Sequence, residues 1–267
     1  MKSVVITGSS RGIGLGIARE FLGNDCCVVL SARSRSKLEE EVEKLSIAFD
    51  DSRVMGQPCD VTDSTQVQTL WDAAKEKFGR VDIWINNAGM YATTVPLWEL
   101  DTAEIAPVIN TNLTGLIYGC RVAMNGMIAQ GSGQIYNFEG FGSNDMIREG
   151  LSVYGATKRA VRYFTDALIE ETRETPVQMG TLNPGIVMTD LLLNDMRRMS
   201  PENLEMIKIT FNALGDKVET VTPFLVEEML KNTQTGARIQ WLTKEKINER
   251  FEDDKYFERD LVGEFGL

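Results

Sequence analysis

The chain has 267 residues, 43% of them hydrophobic and 25% charged, with a formal net charge of -11. That length suffices for one large core, and the balance of 39 acidic against 28 basic residues argues against nucleic-acid or anionic-membrane partners, which need clustered positive charge. Histidine is absent, which excludes a Ser-His-Asp triad, an HExxH zinc site and a two-His-one-carboxylate iron site, and leaves acid–base chemistry to Tyr, Lys, Asp, Glu or Cys.

Met1-Lys2-Ser3 runs straight into the first of several apolar, β-branched runs, at 3–7, 27–30, 53–56, 81–85, 133–137, 177–182 and 237–242. The opening is too short for a signal peptide and no run of about 18 apolar residues follows, so the sequence predicts a cytoplasmic protein without a membrane span. Cys26, Cys27, Cys59 and Cys120 form no CxxC pair and read as free buried thiols, and no metal is expected.

Helical periodicity fills the intervals, with Leu38, Val42, Leu45 and Phe49 in one and Val67, Leu70, Trp71, Ala74 and Phe78 in the next. Val161, Phe164 and Leu168 mark a later helix. Ser64 and Asp101 are predicted N-caps, and Gly79 a C-terminal stop. This alternation predicts an α/β fold, a doubly wound, mostly seven-stranded parallel sheet with helices on both faces. One domain is expected over residues 1–242. Within it, residues 190–216, rich in Met and Leu, are expected to form a substrate lid, and residues 243–267 a charged C-terminal extension.

Directly after the first run stands Thr7-Gly8-Ser9-Ser10-Arg11-Gly12-Ile13-Gly14. Gly8, Gly12 and Gly14 allow a tight turn and close approach of backbone to a pyrophosphate, with the N–H groups around Ser10, Arg11 and Ile13 and the next helix's positive end as anion ligands. An NAD-binding turn places an acid at the end of the second strand for the ribose 2′-hydroxyl. This chain has Ser31-Ala32-Arg33-Ser34-Arg35 there instead, and Arg33, with Arg11, suits a 2′-phosphate. The expected cofactor is NADP(H).

Further along come Asn86-Asn87-Ala88-Gly89, Asn112-Leu113-Thr114-Gly115, Tyr154-Gly155-Ala156-Thr157-Lys158 and Asn183-Pro184-Gly185. In this order and spacing the chain resembles the short-chain dehydrogenase/reductase family, a single-domain Rossmann fold. The resemblance implies cofactor contacts from Asp60, Val61, Asn87, Ala88, Gly89, Pro184, Gly185 and Val187, with Thr189 on the carboxamide. It also implies that Lys158 holds the nicotinamide ribose, that Asn112 orders a proton-relay water, and that subunits pair as homodimers or homotetramers.

Tyr154 and Lys158, four apart, share one helix face. A phenol titrates near pH 10, and a nearby ammonium is expected to bring it toward neutrality, which takes about 3–4 kcal/mol. Tyr154 is then the general acid when a carbonyl accepts hydride.

The family's active-site Ser is missing. Its position falls on Gly140 when matched by strand, or on Phe141 when counted back from Tyr154. Ser143, backbone N–H groups beside Gly140 and Gly142, or a protonated Glu139 are the candidate replacements, with Ser143 preferred. Asn137-Phe138-Glu139-Gly140-Phe141-Gly142-Ser143 followed by Tyr154-Gly155-Ala156-Thr157-Lys158 resembles the chlorophyll(ide) b reductase branch, as does Arg238-Ile239-Gln240-Trp241-Leu242-Thr243. That branch reduces a formyl group on a tetrapyrrole. The sequence thus predicts an NADPH-dependent reductase of an aldehyde or ketone, possessing a small-molecule carbonyl substrate that is bulky and apolar. The competing reading is a non-catalytic NADPH-binding sensor or scaffold.

Overall fold

The computed structural model describes residues 1–144 and 146–267. Seven parallel strands form the central sheet: β1 (Ser3–Thr7), β2 (Cys27–Ala32), β3 (Val54–Pro58), β4 (Ile83–Asn86), β5 (Gly133–Phe138), β6 (Val177–Asn183) and β9 (Ala237–Gln240), in the order β3-β2-β1-β4-β5-β6-β9. A separate short pair, β7 (Ile186–Val187) and β8 (Gly215–Asp216), lies outside it.

Strand alternation sorts the core into two layers. Val4 and Ile6 of β1, Val28 and Leu30 of β2 and Ile83 and Ile85 of β4 face one side. There Ile17, Phe21 and Leu22 of α1 (Gly12–Gly23), Leu38 and Leu45 of α2 (Arg35–Ala48) and Leu225 and Met229 of α9 (Val218–Lys231) cover them. Val5, Val29 and Trp84 face the other side, under Leu70 and Trp71 of α3 (Ser64–Phe78), Val122 and Met127 of α5 (Gly115–Gln130) and Val161 and Leu168 of α6 (Ser152–Glu171). Each side chain of this size, once buried, stabilises the fold by about 1.5–3 kcal/mol. Because both faces are covered, the inner strands β1, β2 and β4 are buried along nearly their whole length and read as near-continuous apolar runs.

Some expectations shift at the element ends. The N-cap of α3 is Asp63 rather than Ser64, because the Asp63 carboxylate accepts the N–H groups of Thr65 (2.9 Å) and Gln66 (3.3 Å). Asp101 caps α4 (Thr102–Ile109), and Gly79 stops α3 in a left-handed conformation. All four cysteines are free and buried. Among the described residues no helix is long and apolar enough to cross a membrane.

The 190–216 segment forms α7 (Asp190–Met196) and α8 (Pro201–Leu214). The charged tail beyond residue 242 packs back on the rest of the chain. It folds into α10 (Lys244–Glu252) and α11 (Lys255–Glu258), and its Leu261 and Val262 join Met188, Leu193, Met196 and Phe211 in a third apolar cluster. Arg250 of α10 and Asp216 form an ion pair of 2.7 Å, both nearly fully buried, and Trp241 Nε1 donates to the same carboxylate at 2.7 Å.

Candidate active site

The C-terminal ends of the central strands open on one cleft of about 2010 Å³. This is where a doubly wound sheet leaves a crevice between its two helical layers. The cleft is lined at one end by the glycine turn after β1. Gly8 and Gly12 adopt φ of +66° and +58°, which only glycine takes readily. A Cβ on Gly8 would lie 2.8 Å from Ala88 Cα. Side chains fix this close approach. Thr7 Oγ1 accepts the N–H groups of Asn87 (3.0 Å) and Ala88 (3.1 Å), while Asn87 Nδ2 donates to the carbonyls of Thr7 (2.8 Å) and Gly8 (3.0 Å).

Helix α1 then starts without a side-chain cap and without an acid in its first turn. Its leading N–H groups therefore remain free to receive an anion, and Ser10, Arg11, Gly12, Ile13 and Gly14 all line the cleft. Arg33 lines it beside Ser34 and Lys37, and both Arg11 and Arg33 are exposed. Asp60 and Val61 form the next part of the wall, followed by Asn87, Ala88 and Gly89. Pro184, Gly185, Val187 and Thr189 also line it, with Thr189 next to Gly12. An uncapped helix start and a long cleft fit a dinucleotide.

Tyr154 and Lys158 meet this cleft from α6, with relative exposures of 7% and 6%. Lys158 Nζ donates to the Phe138 carbonyl at 3.0 Å, which anchors the ammonium to the end of β5. Loss of water brings Lys158 down to about 8, with the Glu139 carboxylate acting in the opposite direction. Tyr154 runs against expectation. Burial drives its phenol well above the usual value of 10, and the neighbouring Tyr91 pushes the same way. The Lys158 ammonium stands 5.7 Å from the ring centroid, and burial remains the largest influence on the phenol.

Asn112 and Ser143 lie behind the cleft surface. Asn112 occupies a π-helical turn (Asn110–Thr114) between α4 and α5 and is 1% exposed. Its Oδ1 accepts the Met90 N–H at 2.8 Å, and its Nδ2 donates to the Met90 carbonyl at 2.9 Å and to Thr157 Oγ1 at 3.2 Å. The side chain thus staples the 87–91 segment to α6. Ser143, also 1% exposed, is not brought to the cleft wall and places its hydroxyl 3.4 Å from Glu139 Oε2. Glu139 is itself ion-paired to Arg162 at 3.0 Å; burial raises its pKa and Arg162 opposes the rise. Gly140 does line the cleft, and a Cβ there would collide with the Tyr154 hydroxyl.

One residue that sequence reasoning missed is Tyr91. Its ring stacks on Tyr154 with centroids 4.0 Å apart and planes at 29°. The only signal for it was its place two residues beyond Asn86-Asn87-Ala88-Gly89, which by itself specifies nothing.

Comparison with known proteins agrees with this geometry. The short chain dehydrogenase family matches residues 2–199. Over 262 residues the chain is 37% identical to a probable chloroplastic chlorophyll(ide) b reductase of Oryza sativa subsp. japonica, an alignment covering 92% of this chain and 51% of that protein. It is 38% identical over 240 residues to a chloroplastic chlorophyll(ide) b reductase of Arabidopsis thaliana, covering 88% and 67%. The chain thus spans about half the length of the first of these relatives. Levodione reductase superposes with a TM-score of 0.79 at 25% identity over 90% of this chain and 95% of that one. Actinorhodin polyketide ketoreductase with NADPH superposes with a TM-score of 0.78 at 26% identity over the same shares. The expectation of a cytoplasmic protein does not stand, because these curated relatives are chloroplastic by name.

Proposed function

We propose that this chain, which belongs to the short-chain dehydrogenase/reductase family of oxidoreductases, is an NADPH-dependent reductase of an aldehyde or ketone. The observation that carries the proposal is the placement of Tyr154 and Lys158 at the buried end of the cleft that begins at the free N-terminus of α1. When bound, NADPH supplies the hydride. The chain's own residues do the rest. The N–H groups of the glycine turn receive the pyrophosphate, and Arg11 and Arg33 grip the 2′-phosphate. Lys158, fixed by the Phe138 carbonyl, holds the ribose hydroxyls. Tyr154 delivers a proton to the substrate oxygen as negative charge develops there.

Leu191, Leu192, Ile207, Phe211 and Leu214 of the two lid helices line the same cleft, which favours a bulky apolar substrate. The likeness to chlorophyll(ide) b reductases makes a formyl tetrapyrrole the first substrate to try. Asn112, through Met90, keeps the cofactor-facing loop in register. Subunit pairing as a homodimer or homotetramer belongs to this proposal on family resemblance alone.

The test follows NADPH consumption with a panel of aldehydes and ketones that includes a formyl tetrapyrrole, for wild type and Tyr154→Phe. Turnover by wild type and its loss in the variant, with NADPH binding retained in both, supports the reductase. Two proteins equally inert yet able to bind NADPH would establish a sensor or scaffold instead, the reading the missing Ser favours.

A further inference from the structure

From the stacked rings of Tyr91 and Tyr154 and the side-chain-free surface at Gly140, we propose that Tyr91 replaces the missing serine as the second hydroxyl of the reaction site. This deepens the reductase reading and rests on it. Both residues line the cleft. A serine in the Gly140 position would force its Cβ into the Tyr154 hydroxyl. The site therefore trades one donor for another: the glycine clears room for Tyr154, and the loop after β4 brings Tyr91 onto its ring. Asn112 secures that loop by holding both backbone groups of Met90, the residue before Tyr91.

In the resting pair Tyr91 stacks on Tyr154 and, together with burial, helps Tyr154 keep its proton. During reduction the Tyr154 O–H bond breaks, its proton goes to the substrate oxygen that hydride addition at carbon has made basic, and the O–H electron pair stays on Tyr154. The Tyr91 hydroxyl then rotates and donates to that phenolate. Hydrogen bonds to a charged oxygen are roughly twice as strong as neutral ones. Tyr91 is a positioning residue in this scheme, acting through Tyr154. The other charged groups facing the pair are Lys158 on α6, Asp195 on α7, Arg148 in the 139–151 loop and, through Lys158, Glu139 at the end of β5.

The test uses Tyr91→Phe, which keeps the stack and removes only the hydroxyl, with Tyr91→Leu to remove both. The first readout needs no substrate or cofactor. In protein labelled at the ring carbon bearing the tyrosine hydroxyl, the Tyr154 NMR signal shifts at neutral pH in Tyr91→Phe. The second is the pH profile. In Tyr91→Phe, kcat falls about 10- to 100-fold with the NADPH Kd unchanged, and the alkaline limb assigned to Tyr154 moves to lower pH, because Tyr91 no longer helps hold the proton on Tyr154. An unmoved Tyr154 signal together with kcat within twofold of wild type overturns the inference. A shifted signal in a wild type that reduces no carbonyl instead leaves the tyrosine pair standing and removes the reductase reading.

Discussion

Lys158 approaches the Tyr154 ring at 5.7 Å from its centroid while its ammonium is tied to the Phe138 carbonyl at 3.0 Å. The lysine is held from the side by the strand end and keeps its charge at a cost. Its pKa of about 8, depressed chiefly by burial, means that the folded chain binds this proton less tightly than the unfolded one. For a depressed lysine the penalty on the fold is full below about pH 8 and fades as pH rises toward the unfolded value near 10.5. It amounts to about 3 kcal/mol at neutral pH, partly offset by the bond to Phe138. Lys158→Met is therefore expected to gain about 2 kcal/mol of stability at pH 7 and much less at pH 10, while losing turnover. Urea unfolding at the two pH values checks this; equal or lower stability of the variant at pH 7 would show that the ammonium is no burden to the fold.

Restoring the family's usual residue should harm this enzyme. In Gly140→Ser the new Cβ meets the Tyr154 hydroxyl, which must swing away from its place beside Tyr91. Displacing an acid by about 1 Å costs on the order of 10²-fold in rate. The expected outcome is a fall in kcat with an unchanged NADPH Kd, since the glycine turn lies at the other end of the cleft. A variant as active as wild type, or more so, would mean that the collision relaxes without moving Tyr154.

The strands and the glycine turn were legible because their causes are local. A strand covered on both faces has to be apolar throughout, as Val28, Val29 and Leu30 are, and a turn with φ of +66° and +58° has to be glycine. Tyr91 was not legible, since nothing in its own neighbourhood records that a ring 63 positions later stacks on it. The tail failed for a different reason. Its charge density suggests a solvated face, yet Arg250 and Arg259 turn inward to the carbonyl end of α8, where Arg250 Nη1 meets the Leu214 carbonyl at 3.0 Å and Arg259 Nη2 the Ala213 carbonyl at 3.0 Å. Composition cannot distinguish a guanidinium in water from one that caps a helix. Ser143, preferred as the nearest replacement hydroxyl, has its hydroxyl 3.4 Å from Glu139, a contact that the loop sequence does not record.

Cofactor choice should rest on the basic rim. Arg33 is exposed at the cleft, with Lys37 and Arg11 on the same rim. A hydrogen bond to a charged group is worth about 1.5–3 kcal/mol, so Arg33→Ala should weaken NADPH binding about 10- to 150-fold. NADH, which lacks the 2′-phosphate, should bind the variant within about threefold of wild type. Fluorescence titration with both dinucleotides measures the ratio. Raised ionic strength should also weaken NADPH binding more than NADH binding, because the rim is open to screening ions. If Arg33→Ala weakens both dinucleotides equally, the arginine is not reading the phosphate.

The tail should steady the helices of the 190–216 segment through one buried contact. Arg250 and Asp216 join α10 to the strand that follows α8, and Asp216 also accepts from Trp241. Removing one partner of such a pair strands the other charge in the interior, at about 3–5 kcal/mol. Arg250→Met keeps much of the apolar stem and leaves Asp216 with Trp241 Nε1 and a distant Arg259 at 3.9 Å. The expected loss is therefore near the lower bound, about 3 kcal/mol, and it should be local. Backbone amides of α8 and of the 261–267 segment should exchange faster with solvent, while those of β1 and β4, in the middle of the sheet, stay protected. Because Phe211 and Leu214 line the cleft, the same variant should show a raised KM for a bulky substrate and little change for a small aldehyde. Uniformly faster exchange across the whole sheet would instead mean that the tail holds the core together and does not act on the 190–216 segment alone.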